Sequence, residues 1–243
     1  MNKYGMGQEE FKQGYGEEEL INYLGKYITA HKKSAIDNVL AKRTRFFTIV
    51  LEDIFKPHNA SAVLRTCDCF GIQDIHLIEK TDTYKINPFV TRGAAQWVDL
   101  HKYFKTDGSA VDDCFGRLRS EGYTIYGTSP ASNSLSIHDF PILPNQKVAL
   151  VFGNEHEGIS EEVKSKVDGL VHIPMLGFTE SFNISVSASI FLYELIKRVN
   201  DMKIPNFNLT EKEQAALRLR WYKLIVPHAD IHERYFRQQI QNL

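Results

Sequence analysis

The sequence predicts an α/β domain on a parallel sheet, with short helical extensions at both ends. Two apolar runs, "FFTIVLED" (46–53) and "KVALVFG" (147–153), show no apolar/polar alternation and read as strands buried on both faces. From about residue 45 to 200 such strands alternate with helical segments, the pattern of parallel strands joined by crossover helices. Three polar segments also follow predicted strands, at the strand ends where open parallel sheets bind ligands.

Taken in order, residues 17–43 carry helical periodicity, first through Leu20, Leu24 and Ile28, then through Ile36, Val39 and Leu40. Lys32, Lys33, Lys42, Arg43 and Arg45 cluster around the second segment. "IQDIHLIE" (72–79), "YTIYGTS" (123–129) and "GLVHIPM" (169–175) are further strand candidates. "DMKIPNFNLT" (201–210) reads as a linker, and Thr210 with Glu213 forms a capping box that opens a last helix, "EKEQAALRLRWYKLIV" (211–226). The chain thus divides into a helical extension (1–44), an α/β domain (45–200) and a second helical extension (201–243).

Composition narrows the setting. In 243 residues, 43% are hydrophobic and 24% charged, ordinary values for a soluble globular protein. No apolar run reaches the roughly 18 residues of a membrane span. The opening "MNKYGMGQEEFKQGYGEEE" lacks the apolar core of a signal peptide, and Cys67, Cys69 and Cys114 form no CxxC pair, so a cytoplasmic protein is expected. A net charge of −1 argues against a uniformly basic nucleic-acid binder but leaves room for local basic patches.

The first polar segment, "PHNASAVLRTCDCFG" (57–71), places Arg65 among small and apolar residues. Pro57 fixes the turn, His58 or Asn59 can cap the helix, and Arg65 either pairs with Asp68 at i,i+3 or is held for a function. The second, "VFGNEHEGIS" (151–160), runs from a strand into a helix capped by Ser160, with Gly153 and Gly158 bracketing a polar loop. Its spacing is neither GxGxxG nor a Walker loop, and Ser160 breaks an HExxH pattern, so neither phosphate nor zinc is indicated. The loop is either a tight structural turn or a ligand-binding one. The third, "IPMLGFTESFNISVSASIFLYELIKRV" (173–199), has Ser181 or Asn183 as cap of a helix that is apolar nearly all round over 184–196. Such a helix belongs in a core or at a subunit interface.

Together, in this order, "NASAVLRTCDCFG", "FGNEHEGIS" and "IPMLGFTESFNISVS" resemble the three motifs of the SpoU/TrmH family of RNA ribose 2′-O-methyltransferases, within the SPOUT superfamily. The resemblance spans about residues 45–200. "KPHNASAVLRTCD", "FVTRGAAQWV" and the two helical ends point to the branch that methylates a tRNA guanosine in the D-loop. Phe182 stands where the family usually has Leu.

The resemblance implies a SPOUT-type parallel sheet whose C-terminal part forms a deep trefoil knot, a homodimer, and S-adenosylmethionine as cofactor with no metal. It implies cofactor loops at 128–130, 153–158 and 173–183, with Thr128, Gly153, Ile173, Met175 and Phe182 against the cofactor. Asn59, Arg65, Glu155, Ser181 and Asn183 become the catalytic set. Arg65 approaches the ribose hydroxyl, Asn59, Ser181 and Asn183 position RNA and loop, and Glu155 orders its loop or faces the guanidinium. Lys42, Arg43, Arg218 and Arg220, with Lys223, Arg234 and Arg237, are candidates for contact with tRNA phosphates, interleaved with Trp221, Tyr222, Tyr235 and Phe236. The alternatives are methylation of rRNA or of another tRNA position, and an RNA-binding module of the same fold without catalysis.

Overall fold

The computed structural model describes residues 16–54, 56–79, 93–104 and 108–241. Residues 1–15 of the N-terminal extension and 89–92 of "FVTRGAAQWV" lie outside them. In chain order the described helices are α1 (Glu17–Gly25), α2 (Ala30–Leu40), α3 (Pro57–Cys69), α4 (Ala110–Ser120), α5 (Glu161–Lys166), α6 (Ile184–Met202), α7 (Glu211–Ile225) and α8 (Ala229–Gln241). Two compact units result. One holds residues 42–208; the other joins the described residues up to Ala41 with those from Leu209.

The larger unit is built on seven strands: β1 (Phe47–Glu52), β2 (Asp74–Glu79), β3 (Asp99–Phe104), β4 (Tyr123–Thr128), β5 (Leu135–Ser136), β6 (Lys147–Phe152) and β7 (Gly169–His172). They pair in the order β3-β2-β1-β6-β4-β7-β5, every neighbouring pair parallel. Central β1 and β6 are buried on both faces, as their unbroken apolar runs require. Phe47, Ile49 and Leu51 of β1 and Val148, Leu150 and Phe152 of β6 pack with α3 and α6. Val50, Ala149 and Val151, one residue out of step, pack with α4 and α5 on the opposite face. The sheet is therefore the middle layer of three.

Local chemistry starts each helix. Ser109 caps α4 by accepting from the Asp112 amide at 3.2 Å, and Ser160 caps α5 by accepting from Val163 at 3.2 Å. Asn183, not Ser181, caps α6, its Oδ1 accepting from the Ser185 amide at 2.9 Å. Asn59 does not cap α3; it lies inside that helix, which starts at Pro57. The segment read as a linker from 201 is shorter, because α6 continues to Met202 before Lys203 turns left-handed at φ 51°.

Strand β3 was not among the strand candidates. It lies at the sheet edge, and on one face it carries Asp99, His101 and Tyr103, which build a polar network with β2 and α4. Arg45 donates to Asp74 at 2.6 Å and to Asp99 at 3.1 Å, while His101 Nε2 meets Asp74 at 2.8 Å. Buried His76 joins the Tyr103 hydroxyl through Nδ1 at 3.0 Å, and its ring lies 4.8 Å from that of His101. Burial would raise the Asp74 carboxyl, but His101 and Arg45 outweigh it and hold it at about 2. For His76 burial, reinforced by His101, pushes the imidazole down to about 3.

In the smaller unit α1 packs on α7 and α8, and α2 packs on α7. The Thr210–Glu213 capping box opens α7 as expected. Helix α8 follows the helix read as the last one. Its aromatic residues join α1: Phe236 lies 4.9 Å from Tyr23, and His232 lies 4.1 Å from Tyr27, ring centre to ring centre.

Candidate active site

Because all strands run the same way, their C-terminal ends meet at one edge of the sheet. Chain leaves β1 there toward α3, β4 toward 128–130, β6 toward 153–158 and β7 toward 173–183. Between these segments lies a cavity of about 480 Å³. Its wall includes the apolar side chains of Phe152, Ile173, Met175, Phe182 and Phe191 and the carboxylates of Glu155, Glu157 and Glu180.

The loop after β6 is shaped by two glycines. Asn154 and Gly158 exchange backbone hydrogen bonds of 3.1 Å in both directions, and the Asn154 side chain accepts from the amides of His156 (2.9 Å) and Glu157 (2.7 Å). Gly158 takes φ +70°, and a Cβ on Gly153 would lie 1.9 Å from the Gly158 carbonyl. No side chain fits at Gly153 while this hairpin stays closed.

A hydrogen-bonded chain crosses the cavity floor from three separate motifs. Asn183 Nδ2 donates to Asn59 Oδ1 at 3.2 Å, and Asn59 Nδ2 donates in turn to Glu155 Oε1. Asn59 is 8% exposed, so its carboxamide is fixed rather than solvated. The other Glu155 oxygen, Oε2, is buried without a hydrogen-bond partner. A buried carboxylate oxygen in that state favours an incoming donor.

Of the residues expected at the site, Asn59, Thr128, Gly153, Glu155, Ile173, Met175, Ser181, Phe182 and Asn183 all line this one cavity. Thr128 is held by donating to the Val151 carbonyl at 3.0 Å. Arg65 is not in the cavity wall. It sits on the exposed face of α3, and among the described residues no hydrogen bond or ion pair restrains it. The pairing with Asp68 is also corrected, because Asp68 belongs to Arg43.

Arg43 itself does not fit the role of phosphate contact. It is 1% exposed, it donates to the Ile72 carbonyl at 3.2 Å, and its ion pair with Asp68 ties the approach to β1 to α3. A phosphate cannot reach a guanidinium so enclosed. Lys42 is exposed, Arg218 is paired with Asp37 at 2.9 Å, and Arg220 is half-buried. Ser129, His172 and Phe191 line the cavity without having been singled out. The signal for the first two was position alone: both stand where a parallel strand ends.

The model of the SpoU rRNA Methylase family matches residues 47–193. The chain belongs to the SpoU methylase family. A tRNA (guanosine(18)-2′-O)-methyltransferase of Borreliella burgdorferi is 44% identical over 206 residues, spanning 85% of this chain and 91% of the relative. The crystal structure of the Aquifex aeolicus TrmH/SpoU tRNA modifying enzyme superposes with a TM-score of 0.71 at 26% identity, covering 81% of this chain and 98% of that one. The SpoU methyltransferase AviRb of Streptomyces viridochromogenes, solved in complex with the cofactor AdoMet, shares the fold at a TM-score of 0.54 and 22% identity, over 68% of this chain and 64% of that one. Each motif that carried the resemblance to the SpoU family falls within the matched span.

Proposed function

We propose that this chain methylates a ribose 2′-hydroxyl in tRNA, at a guanosine of the D-loop, with S-adenosylmethionine as methyl donor. The observation that carries it is the junction of Asn59, Glu155 and Asn183 at a half-apolar cavity, in a chain whose 44%-identical relative bears that activity in its name. A cavity of about 480 Å³ suits a ligand of nucleoside size, its apolar side faces a purine or thioether, and its carboxylates suit an ammonium. When bound, the cofactor supplies an electrophilic methyl group on a sulfonium.

The chain's own residues then divide the work. Gly153 lets the hairpin beside the cavity close on Gly158, while Asn59 orients Glu155 and leaves its Oε2 to accept from a bound donor. Arg65, protonated at any ordinary pH, is a poor base but a good stabiliser of a forming alkoxide, and its second donor edge suits an RNA phosphate. Its freedom from partners keeps those donors available. Lys42 and, in the smaller unit, the basic residues of α7 are assigned to contact with RNA phosphates. The tRNA substrate and unpaired Cys67, Cys69 and Cys114 suit a cytoplasmic enzyme.

Two finer features belong to the same proposal. The C-terminal part of the larger unit is knotted: β7 inserts between β4 and β5, both earlier in the chain, which supports a threaded path. The enzyme is a homodimer. Val186 (44% exposed) and Tyr193 (63%), seven positions apart on α6, form an exposed apolar stripe that suits a second copy better than water. Among the described residues no three His, Cys, Asp or Glu side chains are placed to hold a metal ion.

The test is single-turnover methyl transfer from labelled S-adenosylmethionine to unmodified tRNA and, separately, to rRNA, followed by mapping of the methylated ribose. Label at a D-loop guanosine is expected. Label only in rRNA or at another tRNA position would replace the substrate. Cofactor binding with no transfer to any RNA would leave a binding module.

A further inference from the structure

His172 lines the cavity at the end of β7, and its Nδ1 lies 2.7 Å from the hydroxyl of Ser134, in the segment just before β5. That hydroxyl has one hydrogen, and it goes to the Ala131 carbonyl at 2.6 Å. Ser134 Oγ must therefore accept and Nδ1 donate, so in the neutral ring the lone pair lies on Nε2. The donors run one way, from imidazole to hydroxyl to carbonyl, and such a chain polarises the ring so that Nε2 accepts more strongly. The Ser134–Ala131 turn thus selects the tautomer of the neutral ring whose acceptor is Nε2, on a cavity wall whose other polar side chains include three carboxylates, and those suit the cofactor's ammonium better.

We propose that His172 is a specificity residue for the cofactor, accepting through Nε2 a hydrogen bond from a neutral donor of its adenosine half, with Ser134 as the positioning residue that sets the tautomer. This rests on the cofactor assigned above. The adenosine half offers two kinds of neutral donor, the exocyclic amine and the ribose hydroxyls.

The experiment is calorimetric titration with S-adenosylhomocysteine, which needs no RNA and no turnover. His172→Phe should bind roughly three- to tenfold more weakly, the worth of one neutral hydrogen bond. Ser134→Ala should lose part of that, Ser134→Thr should retain affinity, and Ser134→Ala should add nothing in a His172→Phe background. The ¹⁵N spectrum of His172 should show the Nδ1–H tautomer in the unaltered protein and a shift toward Nε2–H in Ser134→Ala, which a purely structural serine would not produce. S-inosylhomocysteine, lacking the amine, and 2′- and 3′-deoxy analogues then identify the donor: the unaltered protein should discriminate against one of them, and His172→Phe should not. Equal affinity of His172→Phe and the unaltered protein overturns the inference while leaving the cofactor in place. Failure of the unaltered protein to bind S-adenosylhomocysteine at all overturns the cofactor assignment and this inference with it.

Discussion

Lowering the pH from 6.5 to 5 is expected to weaken the fold through His76. Its imidazole is 1% exposed between β2, β3 and α4, facing Asp74, His101, Tyr103 and Arg117, and it titrates near 3 instead of 6.5. A base with a depressed folded pKa binds fewer protons folded than unfolded. Its stabilisation is complete above 6.5 and drains away as the pH falls toward 3. Each pH unit below 6.5 costs about 1.4 kcal/mol, so the fall to pH 5 costs about 2 kcal/mol, or roughly 4–8 °C of melting temperature for a chain of this size. Asp74 does not confuse this window, because its carboxyl, held at about 2, matters only below the ordinary carboxylate range. The assay is thermal unfolding of the unaltered protein and of His76→Gln across pH 5 to 7. The slopes are compared, so any constant offset from the substitution drops out. The unaltered protein should lose stability more steeply, and parallel curves would refute the reasoning.

Four further outcomes are expected. Arg65→Lys should cut single-turnover methylation by about 10²–10³ while leaving the melting temperature unchanged, since the guanidinium has no partner to lose; near-normal turnover would remove Arg65 from the catalytic set. Gly153→Ala should abolish S-adenosylhomocysteine binding in a calorimeter, because the new methyl group meets the Gly158 carbonyl at 1.9 Å and the hairpin must open. Asp68→Ala should destabilise by about 3 kcal/mol, seen as a fall of roughly 6–12 °C in melting temperature, by removing the carboxylate that the enclosed Arg43 pairs with. Sedimentation at micromolar concentration should give twice the 27.9 kDa chain mass.

What could be read in the sequence was whatever repeats on a short period or sits beside its partner. β1 and β6 announced themselves as apolar runs, and the capping box of α7 lies within four residues. The three cavity loops were found because each follows a strand, and the resemblance gave them roles. β3 escaped because "DLHKYF" is a half-buried edge strand whose polar side chains are satisfied by β2 and α4, a fact of tertiary contact. Arg43 misled for the same reason. In sequence it stands with Lys42 and Arg45 as a basic run, and its partner Asp68 lies 25 positions away, next to a nearer arginine that seemed the natural mate. His172 carries no motif spacing at all, and only the fold brings it to Ser134, 38 positions earlier.

The joining of both chain ends into one helical unit has a consequence for biosynthesis. α1 and α2, carrying Leu20, Leu24, Ile36 and Leu40, leave the ribosome before the sheet domain, yet the helices that pack on them are made after it. Meanwhile everything from Lys42 to Asn208 has emerged and can complete its sheet. The nascent chain therefore passes through a stage in which the sheet domain follows two helices whose partners are not yet made. During that stage the leucines of α1 and α2 lack the helices that later pack on them. A chain stalled before Leu209 holds every residue that lines the cavity but lacks the helices that pack on α1 and α2.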